Sequence, residues 1–237
     1  MTIKRAILIY VVALLVTLPV TFPAALLERF VTLPPNISHS PLSGSVLGVK
    51  LDWLQIGPLR LADLEARPAL AGLLSGTPLS IVIGKPLPLK AKVGGGGDTL
   101  VLAEGHSTTR LEALLQILGL PGVGVDALVD VVVHQAKLVR ERCEELDGTL
   151  TLSDFNGEDF AQLSEVAATL SCANGNLVVT VLPENTLRLS GSATITPNGR
   201  YQVDMTAQPP QGPLFDLFTD FLGQPRDGRS FQIRFRS

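Results

Sequence analysis

A mainly β fold, preceded by a single apolar N-terminal helix, is the class this sequence predicts, and three observations carry it. A charge-free apolar run occupies Ala6–Leu27. From Val46 onward apolar and polar residues alternate with a period of two, the signature of half-buried strands. Asn-Gly pairs at Asn174-Gly175 and Asn198-Gly199 interrupt that alternation, and such pairs favour the tight turns of β-hairpins. Together they describe a transmembrane helix followed by a curved, mostly antiparallel sheet domain of about ten to twelve strands with two or three short helices.

The leader comes first. Ala6–Leu27 would make a helix about 33 Å long, enough for a hydrocarbon core of roughly 30 Å. Pro19 and Pro23 fall in its last third, where each would kink or end the helix. Lys4 and Arg5 precede it, so the excess of basic residues keeps residues 1–5 on the cytoplasmic side and carries the rest across. A cleaved signal peptide is the rival reading, but no small-x-small cleavage site stands at its end. A Pro/Ser-rich connector over residues 28–45 then leads into a β-rich domain over 46–237.

Within that domain the elements follow in order. Residues 50–66 alternate around Gly57-Pro58, which reads as two short strands and a turn. Arg67–Gly76 reads as one or two helical turns, and Thr77–Val93 returns to strand. Gly94–Asp98 is the flexible tip of a hairpin, with Thr99–Thr108 as the next strand. Thr109 followed by Glu112 is a capping box, and Leu111, Leu114, Leu115 and Leu118 form the apolar face of a helix that Gly119 and Pro121 end. A break between two sheet halves near Gly119–Gly124 is the alternative to one continuous domain.

The β-branched run over 126–141 reads as a long strand. Leu187, Leu189, Ala193 and Ile195 share one strand face, as do Tyr201, Val203, Met205 and Ala207 beyond the Asn198-Gly199 turn. Leu214, Leu217, Phe218 and Phe221 line a short amphipathic helix. The chain closes on Phe231, Ile233 and Phe235 alternating with Gln232, Arg234 and Arg236.

The chain holds two cysteines, Cys143 and Cys172. Beyond a membrane, disulfides form and persist, and both cysteines sit in strand-like sequence. A structural bridge is the expected reading, with two buried free thiols as the alternative. A metal site would need further ligands in tight clusters, and no Cys-x-x-Cys or paired histidine accompanies them.

Other chemistry is hard to find. The three histidines, His39, His106 and His134, are scattered, and no serine sits in a Gly-x-Ser-x-Gly elbow. The glycine run lacks the Gly-Lys-Ser/Thr of a phosphate loop. The acidic residues around Glu144 and Asp154 do not follow calcium-loop spacing. A net charge of −3 gives no basic surplus for nucleic acid. No catalytic residue, metal or cofactor is expected.

Several phrases together resemble a known family. They are "LSGSVLGVKLDWLQIGPLRLADLEARPALAGLLSGTPLSI", "CEELDGTLTL", "LSCANGNLVV", "LRLSGSATITPNGRYQVDMTAQP" and the closing "FLGQPRDGRSFQIRF". In that order, after a basic start and a single apolar span, they resemble the general secretion pathway protein N family of bacterial type II secretion systems. Trp53, the one tryptophan, is fewer than the family pattern leads one to expect. The resemblance implies a single-pass, non-enzymatic inner-membrane component with its bulk in the periplasm. Its partners would be other inner-membrane components of the same machine.

Two surfaces could serve such a protein. Phe231, Ile233 and Phe235 are the candidate partner-binding residues, on a terminal strand whose arginines suit an exposed sheet edge. The alternative function is a periplasmic lipid-binding or lipid-transfer module, in which the apolar sheet face forms a groove.

Overall fold

The computed structural model describes residues 21–29, 37–56, 59–69, 72, 76–117, 126–156, 163–225 and 227–236. The chain divides into two compact units, Met1–Pro88 and Leu89–Ser237.

In the first unit, β1 (Ile37–His39) and β2 (Ser43–Ser45) both pair antiparallel with β3 (Gly48–Ile56). β3 pairs with β4 (Leu59–Pro68), and β4 with β5 (Leu79–Ile83). The corner between β1 and β2 is fixed by Ser40, which is 3% exposed. Its hydroxyl accepts the backbone N–H groups of Asp52 and Trp53, at 2.9 and 3.3 Å, so a buried polar group is satisfied where the chain changes strands. On β3, Trp53 carries the Arg60 guanidinium 5.3 Å from its ring centroid.

Most of the expected span over Ala6–Leu27 lies outside the described residues. Its last residues do not continue a helix. Phe22 accepts a hydrogen bond from Val46 N–H, Pro23 bridges Ser45, and Ala24–Arg29 forms a 3-10 turn beside β2. Pro23 has no N–H to donate, which accounts for a turn there in place of further helix. Among the described residues no helix is long and apolar enough to cross a membrane. The helical turns expected over Arg67–Gly76 also fall mainly outside the described residues.

The second unit is an antiparallel meander in which each strand pairs with the next. It comprises β6 (Leu89–Gly96), β7 (Thr99–Arg110), β8 (Asp126–Val139), β9 (Arg142–Asn156), β10 (Val166–Ala173), β11 (Asn176–Val181), β12 (Ser190–Ile195), β13 (Tyr201–Ala207) and β14 (Phe231–Arg236). Two helices interrupt it, α1 (Leu111–Ile117) and α2 (Pro213–Leu222). Among the described residues, nine strands here and five in the first unit exceed the expected ten to twelve. The extra strands come from short pieces such as β1 and β2, too brief to show a periodic pattern.

Tight turns set the register. Asn174 and Gly175 join β10 to β11 with φ of 54° and 80°, the left-handed pair that such a loop requires. The glycine run is not all loop. Gly94, Gly95 and Gly96 pair with Val101, Leu100 and Thr99, because a ladder needs only backbone groups, and the tip shrinks to Gly97-Asp98. Thr109, expected as a helix cap, is a strand residue opposite Val129, and α1 starts directly off β7. Residues 118–125 lie outside the described set, and the strands that flank them, β7 and β8, pair with each other.

Opposed residues in an antiparallel ladder share a face, so the registers sort every side chain. One face carries Val129 and Val131 of β8, Leu150 and Leu152 of β9, Ala168 and Leu170 of β10, and Val179 and Val181 of β11. It continues through Ala193 of β12, Val203 and Met205 of β13, and Ile233 and Phe235 of β14. Val166, Ala168 and Val181 form its buried cluster, joined by Leu150, Leu152, Phe155, Val179, Leu189 and Met205. The opposite face carries Thr149, Thr151, Thr169, Thr180, Ser192, Thr194, Gln202 and Asp204. Water can solvate that side without a second layer.

At the α2 end of β14, Phe231 is 2% exposed. Its ring meets Phe215 edge-on at 5.2 Å and Phe218 at 5.5 Å. Aromatic contacts of this kind dominate the burial of a short helix on a sheet. Phe231→Ala should therefore destabilise the chain by about 3–5 kcal/mol, read as a lower urea midpoint at unchanged slope.

Candidate functional site

The apolar face is covered at one end of its strands and open at the other. At the covered end lie α1, α2 and the segment between β11 and β12. Ala127, Val129, Ala207, Leu214 and Phe231 are each at most 5% exposed there. The β11–β12 segment is held by Asn185. Its amide donates to the carbonyls of Leu182 and Leu189, at 2.7 and 2.9 Å, and its oxygen accepts Leu189 N–H at 2.9 Å. With those three bonds a buried amide is satisfied and Leu187 is folded inward. Leu187 and Leu189 thus belong to this cover and not, as their spacing suggests, to β12.

At the open end are the turns β6–β7, β8–β9, β10–β11 and β12–β13. Here Leu100 is 45% exposed and Ile195 41%. The two residues lie on strands five apart in the sheet, yet both line one furrow of about 270 Å³ together with Leu138, Cys143, Leu146 and Leu177. The sheet must therefore curl strongly about this face. Gly148 and Gly191 allow it: a Cβ at Gly148 would press on the Val132 carbonyl, and one at Gly191 on Met205 Cα. The alternation of Leu100 and Leu102 was visible in the sequence, but their meeting with β12 depends on curvature that no local pattern records.

Cys143 and Cys172 are bonded to each other, with Cα atoms 5.4 Å apart, an ordinary separation for a disulfide. Their place in the ladder gives the bond its work. The β9–β10 pairing ends at Leu170↔Gly148, and beyond it Cys143 N–H donates to the Gly175 carbonyl at 3.0 Å. The disulfide ties the two strands just where their ladder has ended, on the floor of the furrow.

Of the three candidate partner-binding residues, the structure leaves one accessible. Phe231 is buried under α2, Ile233 is half-buried, and Phe235 is 57% exposed. They share the apolar face of β14, the terminal strand of its sheet. On the polar face Arg234 pairs with Asp204 at 3.3 Å, while Arg236 is exposed. Alternation identified the common face correctly; it could not show that a helix ending nine residues before Phe231 covers one end of it.

His39 hydrogen-bonds the Ser40 carbonyl, and His134 is exposed on β8. His106 has a partner that the sequence did not suggest. Its Nε2 lies 2.8 Å from Asp130 Oδ1, and the Thr108 hydroxyl donates to the same oxygen at 2.6 Å. The trio sits on the open polar face, and the Thr108 hydroxyl also lies 3.3 Å from His106 Nε2. Among the described residues no group of three or more His, Cys, Asp or Glu could hold a metal ion.

Three measurements follow. The hydrogen bond from Thr108, aided by His106, holds the Asp130 carboxyl below its ordinary 3.8, against a smaller opposing effect of burial. Such a group stabilises the fold above its ordinary value and loses that contribution as pH falls through its folded value. Thr108→Val should move the Asp130 titration, followed by NMR, upward toward 3.8. Replacing both cysteines by serine should destabilise the chain by about 3.6 kcal/mol in denaturant, the chain-entropy value for a loop of about thirty residues. In the unmodified chain both thiols should stay unreactive to alkylation until reduced.

Comparison with known proteins adds one finding. No curated protein and no solved structure matches the chain. The model of the family described as "Type II secretion system (T2SS), protein N" matches residues 35–234, which includes β1 through most of β14. With most of its length covered by that match, the chain belongs to the type II secretion system protein N family.

Proposed function

We propose that this protein is a non-enzymatic assembly component of the secretion machine, held in the inner membrane by the apolar run that begins at Ala6. Residues 1–5 face the cytoplasm, and the domain over residues 46–237 works in the periplasm. Family membership carries this reading. The charge-free leader behind Lys4 and Arg5 supports the topology, and the Cys143–Cys172 bond suits an oxidising compartment.

The contact to other inner-membrane components is made at β14. A terminal strand offers a row of backbone groups to which a partner strand can add. Phe235 supplies an exposed anchor, and Arg234 and Arg236 favour an acidic partner. Phe231 is excluded from the contact by its burial under α2. Deleting the whole strand would remove that packing along with the edge, so point changes at the exposed end are the proper test.

The double substitution Phe235→Glu/Arg236→Glu should lower co-purification of the inner-membrane components about tenfold, with the circular dichroism spectrum unchanged. Undiminished co-purification would remove β14 as the contact.

A second reading, a lipid-binding or lipid-transfer module, is favoured by the open half of the apolar face. The two readings use different surfaces, an edge and a face, and are compatible.

A further inference from the structure

We infer that the open end of the apolar face holds an acyl chain of an anionic phospholipid, with the phosphate at the furrow's mouth against Arg142 and Arg200. This rests on the lipid-binding reading and names its ligand class, its place and the residues that select it.

The lining argues for hydrocarbon. Leu100, Leu138, Leu146, Leu177 and Ile195 present alkyl surface. They stand on β7, β8, β9, β11 and β12, all interior strands of the meander. Backbone groups of such strands are engaged in ladders on both sides, apart from β9 beyond Gly148, where Cys143 N–H is taken by the Gly175 carbonyl. A peptide strand laid in the furrow would leave its own amides unpaired. An alkyl chain needs no such partners.

The mouth argues for an anion. Three turns converge there, carrying Asp98, then Arg140, Glu141 and Arg142, then Arg200. Three arginines against two carboxylates leave one net positive charge. Arg140 is occupied by Asp98 at 3.1 Å. The side-chain carbons of Arg142 flank Gly175, which lines the furrow, and the Arg200 carbonyl binds the backbone of Thr196, which also lines it. Both side chains are exposed, and neither makes an ion pair among the described residues. Guanidinium groups bind phosphate oxygens two at a time, which suits a phospholipid head better than a lone carboxylate.

Arg140 and Glu141, with φ of 48° and 66°, form the two-residue β8–β9 turn, which needs left-handed backbone at both positions, and Glu141 also lines the furrow.

The test places the full chain in vesicles of phosphatidylglycerol or phosphatidylcholine, each with a photoactivatable group at the end of one acyl chain. Cross-linked peptides are then mapped by mass spectrometry. Cross-links should appear on peptides carrying Leu100, Leu138 or Ile195. Leu100→Glu should lower them about tenfold, and Ile195→Asn, at a second exposed site, should do the same. The intact disulfide and unchanged circular dichroism report folding of each variant, and the map of the unmodified chain decides the site alone if a variant misfolds. Arg142→Ala/Arg200→Ala should reduce labelling by phosphatidylglycerol about threefold and leave that by phosphatidylcholine unchanged.

Cross-links confined to residues 1–27, or none, would overturn the lipid-binding reading itself. Cross-links elsewhere in residues 89–237, with the furrow unlabelled, would overturn only this proposal. Equal labelling by both lipids in all variants would remove the arginines from the recognition.

Discussion

Everything in the larger unit depends on a strict pairing constraint: in an antiparallel ladder, opposed residues share a face. Hairpin after hairpin keeps this register, so the alternation within β10 is continued in β11, β12, β13 and β14. A slip of one residue in any pair would turn Val179 or Met205 to water and bring Thr180 or Thr206 onto the apolar side. Asn174-Gly175 and the neighbouring two-residue turns hold that register in place.

A sheet that is apolar on one side needs a cover, and this chain covers its sheet unequally. α2, Asn185 and Leu187 close the face where strands are joined by longer connections. At the opposite ends the turns, two residues long in three hairpins and five between β12 and β13, are too short to fold back over the sheet. Curvature takes the place of a cover there, bringing Leu100 toward Ile195. The remaining exposed apolar surface is of the sort that marks a binding site in folded proteins. The disulfide lies at this point, joining β9 to β10 beyond their last ladder pair. Family membership, an accessible terminal strand and an open apolar face are the observations on which the proposed contacts, partners at the edge and apolar molecules at the face, rest.

Much of this was legible in the sequence, and the reasons differ by element. Period-two alternation exposed the β class and the common face of Phe231, Ile233 and Phe235, because side-chain direction is a local property of a strand. The Asn174-Gly175 turn and the bond between Cys143 and Cys172 were legible from turn chemistry and from the leader ahead of them. What escaped was set by tertiary contact. Nothing local shows that Phe215 and Phe218 bury Phe231, that Asn185 draws Leu187 out of strand, or that β7 curls toward β12. The Gly94–Gly96 run misled in another way, since glycine weakens a strand without forbidding it. The link of His106 to Asp130 depends on the β7–β8 register, which no local pattern records.

The central claim, a face closed at one end and open at the other, is tested most directly by carbene footprinting of the folded, oxidised chain. The account predicts heavy labelling of Leu100 and Ile195 together with protection of Val129 and Phe231. Uniform protection of all four would mean that the face is sealed along its whole length, and uniform labelling that α2 does not cover it; either result would contradict the account.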